Sequence, residues 1–243
     1  MNPRAPSWLV DVPFAHRGLH GPGLPENSMA AFDAAIDAGY GIELDVQLSG
    51  DGEAVVLHDL DLERVTGVSA RARELSAAEL RGLRLGGTSH AVPTLAEALE
   101  LVGDRVPLMV ELKSFGRATG RLEAVVADLL DQHPGPFCVS SFHPGSVRWF
   151  RRRRPEWLRG QAAGTLADVP MPGWVRPPLR HMVWNRWNRP DFVAYELAAL
   201  PHPAVERARS RGAAVIAWTV TSDDELERAR RLADNIIFEH VAP

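Results

Sequence analysis

A (β/α)8 TIM barrel is the fold class that three features of the sequence predict. Nine short apolar runs alternate with helical patterns along the chain, and single helices between strands mean crossover connections and a parallel sheet. The runs are largely apolar on both faces, as in a sheet covered on both sides. The 243 residues come close to the roughly 250 of such a barrel.

In chain order, strands are predicted near 12–15, 40–47, 54–58, 108–112, 137–140, 159–163, 192–196, 214–220 and 235–238. Setting 54–58 aside as an extra strand beside 40–47 leaves eight. Helices are predicted near 28–38, 94–102, 119–132, 145–153, 203–211 and 223–232. Ser76 with Glu79, Thr94 with Glu97 and Ser222 with Glu225 have the capping-box spacing, in which two side chains satisfy orphan amides reciprocally. Gly39 and Gly212 follow helices as C-terminal stops. Residues 60–93 fit no single strand–helix unit. They read as a small insertion after the second strand: a polar turn at 60–70, a short helix at 76–83 and a loop to Pro93. An open doubly wound sheet is the alternative, but no Gly-rich nucleotide-binding motif supports it. The resulting organisation is one domain over residues 1–243. The stretch 165–191, with five prolines and Trp174, Trp184 and Trp187, is either a packed irregular connection or an aromatic wall for a ligand.

The apolar fraction of 45% and charged fraction of 24% are those of an ordinary globular protein. A net charge of −4 gives no field that favours nucleic acid or an anionic membrane. No run approaches the ~18 apolar residues of a membrane span, so stable membrane insertion is not expected. Met1 to Asp11 does not read as a signal peptide. The single cysteine, Cys138, cannot form an internal disulfide and reads as a buried small hydrophobe. A cytoplasmic location is the expectation, and the oligomeric state stays open.

Chemistry gathers where apolar runs end, all within the first 113 residues. Glu43 and Asp45 are two apart on a strand and share a face. Two carboxylates so placed repel each other unless a cation neutralises them. Glu111 ends the next main strand and can supply a third oxygen. Three carboxylates without cysteine suit a hard cation: Mg²⁺, Ca²⁺ or Mn²⁺. His16 and His58 each lie where a strand gives way to a loop. Phosphodiester cleavage needs a base for the attacking oxygen and an acid for the leaving alkoxide, and two imidazoles can share those tasks. Arg17 can grip a phosphate bidentately. Lys113 is the only lysine in a chain that otherwise uses arginine, so a compact ammonium is expected to matter there. His20, His90, His133, His143, His181 and His202 read as structural or solvent-facing. The arginine run 151–154 reads as a solvated helix end, with contact to anionic lipid as the alternative.

Taken together, these residues resemble the glycerophosphodiester phosphodiesterase family. The matching elements are His16-Arg17-Gly18, Pro25-Glu26-Asn27-Ser28, Ile42 to Val46, Asp51-Gly52, Val55 to Asp59, Leu62 with Arg64 and Thr66-Gly67, Pro93-Thr94-Leu95, Glu111-Leu112-Lys113, Ser140-Ser141-Phe142 and Trp218-Thr219-Val220. They cover nearly the whole chain in the family's order. The resemblance implies a TIM barrel with a small insertion, and Ca²⁺ or Mg²⁺ held by Glu43, Asp45 and Glu111. It implies an acid/base pair, His16 and His58, and phosphate contacts from Arg17 and Lys113. Glu26 is implied to support the metal or the substrate's glycerol, and Trp218 to bind the substrate. The implied reaction is metal-dependent hydrolysis of a small glycerophosphodiester to glycerol 3-phosphate and an alcohol. A lysophospholipid or another headgroup is the alternative substrate, and a barrel that binds phosphodiesters without turnover is a third reading. Two places depart from the family's pattern, Thr221 and the stretch Ile237-Phe238-Glu239-His240, and they bear on the alcohol more than on the phosphate chemistry.

Overall fold

The computed structural model describes residues 5–114, 120–166 and 173–243. Its elements are α1 (Ser7–Asp11), β1 (Phe14–Ala15), α2 (Met29–Asp37), β2 (Gly41–Leu48), β3 (Ala54–Val56), α3 (Glu63–Thr66), α4 (Ala77–Gly82), α5 (Leu95–Val102), β4 (Leu108–Leu112), α6 (Arg121–Leu130), β5 (Phe137–Ser141), α7 (Pro144–Arg153), β6 (Arg159–Ala163), α8 (Arg176–Arg180), α9 (Asn185–Asn188), β7 (Phe192–Glu196), α10 (Pro203–Arg209), β8 (Ala214–Val220), α11 (Asp223–Leu232) and β9 (Asn235–Phe238). Eight main strands alternating with helices make the fold class a (β/α)8 barrel, as the sequence predicts. The chain forms two compact units, Phe14–Phe137 and Met1–Pro13 with Cys138–Pro243.

In the unit 14–137, β2 pairs in parallel with β1 and β4, in a register that sets Asp45 beside Glu111. The extra strand β3 runs antiparallel to β2, Val46 opposite Val56. Every residue of β2 from Gly41 to Gln47 is buried, so Glu43 and Asp45 lie inside, not at a solvated strand edge. The predicted insertion has its own small core. Leu62, Val65, Leu80, Leu85 and Val92 pack on Val55 and Leu57. The turn predicted at 60–70 contains α3, one helical turn whose buried Val65 is too little for a period to show. Thr94 with Glu97 and Ser76 with Glu79 form the expected capping boxes.

In the other unit, β5 to β9 pair in parallel, each with its successor. α1 was not predicted. It ends where Asn235 donates to the carbonyls of Leu9 and Val12, which satisfies acceptors that a five-residue helix leaves open. β1 is shorter than the predicted 12–15, because Pro13 has no N–H to offer a ladder. At α11 the capping box shifts: Ser222 accepts from the Glu225 amide, but the Glu225 carboxylate accepts from Thr221 instead. The expectation for 165–191 falls partly outside the described residues, and within them the segment forms α8 and α9. Cys138 is buried. Among the described residues no helix is long and apolar enough to cross a membrane.

Two of the histidines read as structural are helix caps. His143 Nδ1 accepts from the Gly145 amide, and His202 Nδ1 accepts from the Ala204 amide. That role needs an unprotonated nitrogen. Burial first, then His181, Arg180 and Arg207, lower the pKa of His202 below its ordinary value of 6.5. The unfolded chain therefore takes up this proton more readily than the folded one, so the contribution is full above 6.5 and is lost as pH falls below it. His202→Asn keeps a cap that does not titrate. Its melting temperature is expected to fall less on acidification than that of the parent, measured by calorimetry across this range.

Candidate active site

β1 delivers His16 and Arg17 at its C-terminal end. The turn that follows is tight. Arg17 and Gly18 both have positive φ, and a Cβ on Gly18 would lie 2.8 Å from the Ala31 backbone. An arginine in the left-handed region needs compensation. Here its amide donates to Glu43 (3.1 Å), its carbonyl accepts from the Asn27 amide (2.9 Å) and its guanidinium donates to Glu26 (2.6 Å). Asn27, also at positive φ, donates through Nδ2 to Asp45 (2.9 Å), and Ser28 caps α2. The Pro25–Ser28 loop is thus tied to β2 through side chains.

Glu43, Asp45 and Glu111 present oxygens that lie within 4.8 Å of one another. Glu43 is 2% exposed and Asp45 1%. Lys113 enters this cluster from the end of β4, its ammonium 2.8 Å from Asp45 Oδ1 and in contact with Glu111. The Arg17 guanidinium lies 3.3 Å from Asp45, and His16 Nε2 lies 3.9 Å from Glu43. Burial, then repulsion from Asp45 and Glu111, pushes Glu43 well above the usual carboxylate range. Burial would also raise Asp45, but attraction to Lys113, His58, Arg17 and His16 outweighs it and holds Asp45 low. Burial opposes the charge on Lys113 too, yet Asp45 and Glu111 raise its pKa. The two buried neighbours on one strand face are therefore shifted in opposite directions, Glu43 up and Asp45 down. A divalent cation among the three oxygens would offset both the burial and the mutual repulsion that raise Glu43. The donors are all oxygen, the choice of a hard cation, so these residues fit one.

His58 follows β3 and faces a second network. Its Nδ1 lies 2.6 Å from Asp59 Oδ1. Asp59 also accepts from Arg64 Nε (2.5 Å), and the other Arg64 nitrogens donate to both oxygens of Glu26 (2.7 and 2.8 Å). Burial would raise Asp59, but its hydrogen bonds from His58 and Arg64 hold it below the usual range. An ionised carboxylate only accepts, so Nδ1 carries the proton and Nε2 is left as the exchanging atom. Gln47 Nε2 donates to the carbonyls of Leu57, His58 and Asp59, which fixes the backbone under the imidazole.

The structure thus brings His16, Arg17, Glu26, Glu43, Asp45, His58, Glu111 and Lys113 together in the unit 14–137. Trp218 belongs to the other unit, half-buried on β8 with its ring edge-on to Phe142 at 5.5 Å. Sequence reasoning assigned no role to Asn27, Gln47, Asp59 or Arg64. Gln47 carried a signal, since it continues the same-face series of Glu43 and Asp45. Arg64, 38 residues from Glu26, carried none beyond its place in the motif.

The chain as a whole is similar to known proteins. The pattern of the Glycerophosphoryl diester phosphodiesterase family matches residues 16–242. A probable glycerophosphodiester phosphodiesterase 1 of Mycobacterium tuberculosis is 38% identical over 258 aligned positions, covering 96% of this chain and 93% of that one. A glycerophosphodiester phosphodiesterase of Caldanaerobacter subterraneus is 31% identical over 88% of this chain and 87% of its own. An Oleispira antarctica phosphodiesterase, solved in complex with the product sn-glycerol-3-phosphate, shares the fold with a TM-score of 0.78 over 95% of this chain and 93% of its own, at 24% identity. The chain belongs to the glycerophosphoryl diester phosphodiesterase family and is an enzyme of that class.

Proposed function

We propose that this protein, acting as one cytoplasmic catalytic domain, hydrolyses glycerophosphodiesters to glycerol 3-phosphate and an alcohol, with a divalent cation held by Glu43, Asp45 and Glu111. One observation carries the reading: two imidazoles and two cationic side chains surround a three-carboxylate cluster in which Glu43 and Asp45 are buried. The product bound by the Oleispira relative is the one this reaction would release.

When bound, the cation supplies positive charge for the phosphate oxygens. Arg17 and Lys113 bind the same phosphate and stabilise the charge that builds on it. One imidazole takes the proton of the attacking oxygen, which is water or the glycerol 2-hydroxyl. The other gives a proton to the leaving alkoxide. Glu26 acts through the guanidiniums it binds, keeping Arg17 extended toward Asp45. Asp59 and Arg64 hold the His58 ring with Nε2 forward, and they are positioning residues.

The direct test is release of glycerol 3-phosphate from glycerophosphocholine and glycerophosphoethanolamine, with EDTA and then with Mg²⁺, Ca²⁺ or Mn²⁺ restored. Chelation is expected to abolish release and at least one metal to restore it. Failure with every metal and both substrates refutes the proposal and makes a lysophospholipid panel of varied acyl length the next assay. His16→Ala and His58→Ala are each expected to lower kcat by at least ~100-fold, the usual size of an acid/base contribution. Near-normal turnover in either refutes that assignment. Arg64→Ala is expected to lower kcat by about 10- to 100-fold through misplacement of His58, with a smaller change in KM. Arg64→Lys should recover part of the loss, and a uniform fall in folded protein without a kcat change would leave Arg64 a merely structural residue.

A further inference from the structure

The unit Met1–Pro13 with Cys138–Pro243 carries a charge distribution that the hydrolysis does not use. The chain has a net charge of −4, yet residues 142–155 and 173–190 contain nine arginines and no aspartate or glutamate. The two segments are joined, because the Arg151 guanidinium donates to the Trp187 carbonyl and so ties α7 to α9. Arg148, Arg151 and Arg152 stand at i, i+3 and i+4 on α7 and share one helix face. Arg151 is close enough to its neighbours for burial first, and then repulsion from Arg189, Arg159 and Arg148, to lower its pKa. Among the described residues, Arg148, Arg151, Arg152, Arg180, Arg186 and Arg189 have no carboxylate in ion-pair range.

Exposed apolar side chains fall in the same segments. Five large hydrophobic residues are exposed among those described, and three of them fall here: Trp174 (78%), Trp187 (52%) and Val183. An isolated exposed hydrophobe needs no explanation, whereas three beside uncompensated arginines do. Arginine and tryptophan share a preference for the boundary between lipid and water, where a cation meets phosphate and an amphipathic ring sits at headgroup level.

We propose that the face formed by α7, α8 and α9 docks on an anionic phospholipid surface. The arginines contact lipid phosphates and Trp174, Trp187 and Val183 enter the headgroup region. Uncompensated positive charge makes the occupant anionic, and the interspersed exposed aromatic and aliphatic groups favour a bilayer over a nucleic acid. Attachment is salt-sensitive, because guanidinium–phosphate attraction carries it and dissolved ions screen that attraction.

The test is co-sedimentation of the full chain with vesicles of phosphatidylcholine containing phosphatidylglycerol, against vesicles of phosphatidylcholine alone. Its readout is binding, so it stands apart from hydrolysis. The protein should sediment with the anionic vesicles only and be released by added salt. Arg148→Gln and Arg152→Gln, each confirmed folded by an unchanged melting temperature, should each weaken binding about fivefold, the share of one basic residue at an anionic leaflet. Trp174→Ala and Trp187→Ala should weaken it without changing its salt dependence. Equal retention on both vesicles, no retention, or retention that these variants leave untouched overturns the proposal. So does tighter capture of a single-stranded oligonucleotide, or self-association that Trp187→Ala abolishes.

Discussion

The rest of the site depends on how charge is balanced around Asp45. A carboxylate withdrawn from water is costly unless cations answer it. Asp45 is answered by Lys113 at 2.8 Å and Arg17 at 3.3 Å, with Asn27 completing its hydrogen bonds. Those contacts explain features that would otherwise look unrelated. Arg17 tolerates a left-handed backbone because its guanidinium and amide are both claimed by carboxylates. Lysine, and not arginine, stands at 113 because a compact ammonium fits between two carboxylates within a buried cluster, where a planar fork is larger and directional. At Glu43 the balance goes the other way: burial and repulsion from Asp45 and Glu111 outweigh attraction to Lys113 and Arg17.

The insertion has a part in this balance. Its core, built on Val55 and Leu57, holds α3 where Arg64 reaches both Asp59 and Glu26. One guanidinium thereby links the loop that carries His58 to the loop that carries Arg17. A salt bridge on an open surface contributes little. A bidentate arginine that closes a chain of five charged groups fixes direction more than it adds stability. The same chain holds a second arginine-rich region of opposite character, on α7 to α9, where Arg148, Arg151, Arg152, Arg180, Arg186 and Arg189 have no carboxylate in ion-pair range and Trp174 and Trp187 are exposed. Paired arginines build the reaction centre, and unpaired ones suit a surface that meets an anionic partner.

Much of this was legible in the residues. Alternating apolar runs specified strands and helices, because the barrel repeats one local unit and each unit leaves its own period. The same-face spacing of Glu43 and Asp45 followed from the two-residue period of a strand, and the solitary lysine stood out against an arginine-rich background. Elements of one turn, α1 and α3, were hidden because they are shorter than the window that reveals a period. The shift of the Glu225 bond from Ser222 to Thr221 was hidden because both residues offer the same chemistry one position apart.

The sequence by itself determined the fold class, the strand ends at which the polar residues stand and the chemical types available there. Tertiary structure alone decided that Glu43 and Asp45 lie buried with pKa values shifted in opposite directions, that Glu111 stands beside Asp45 in register, and that Arg64 spans 38 positions to reach Glu26. The division has a physical origin. Backbone period is a local property, fixed by neighbours in the chain. Desolvation and Coulomb attraction depend on distance through space, and that distance exists only once the strands have paired.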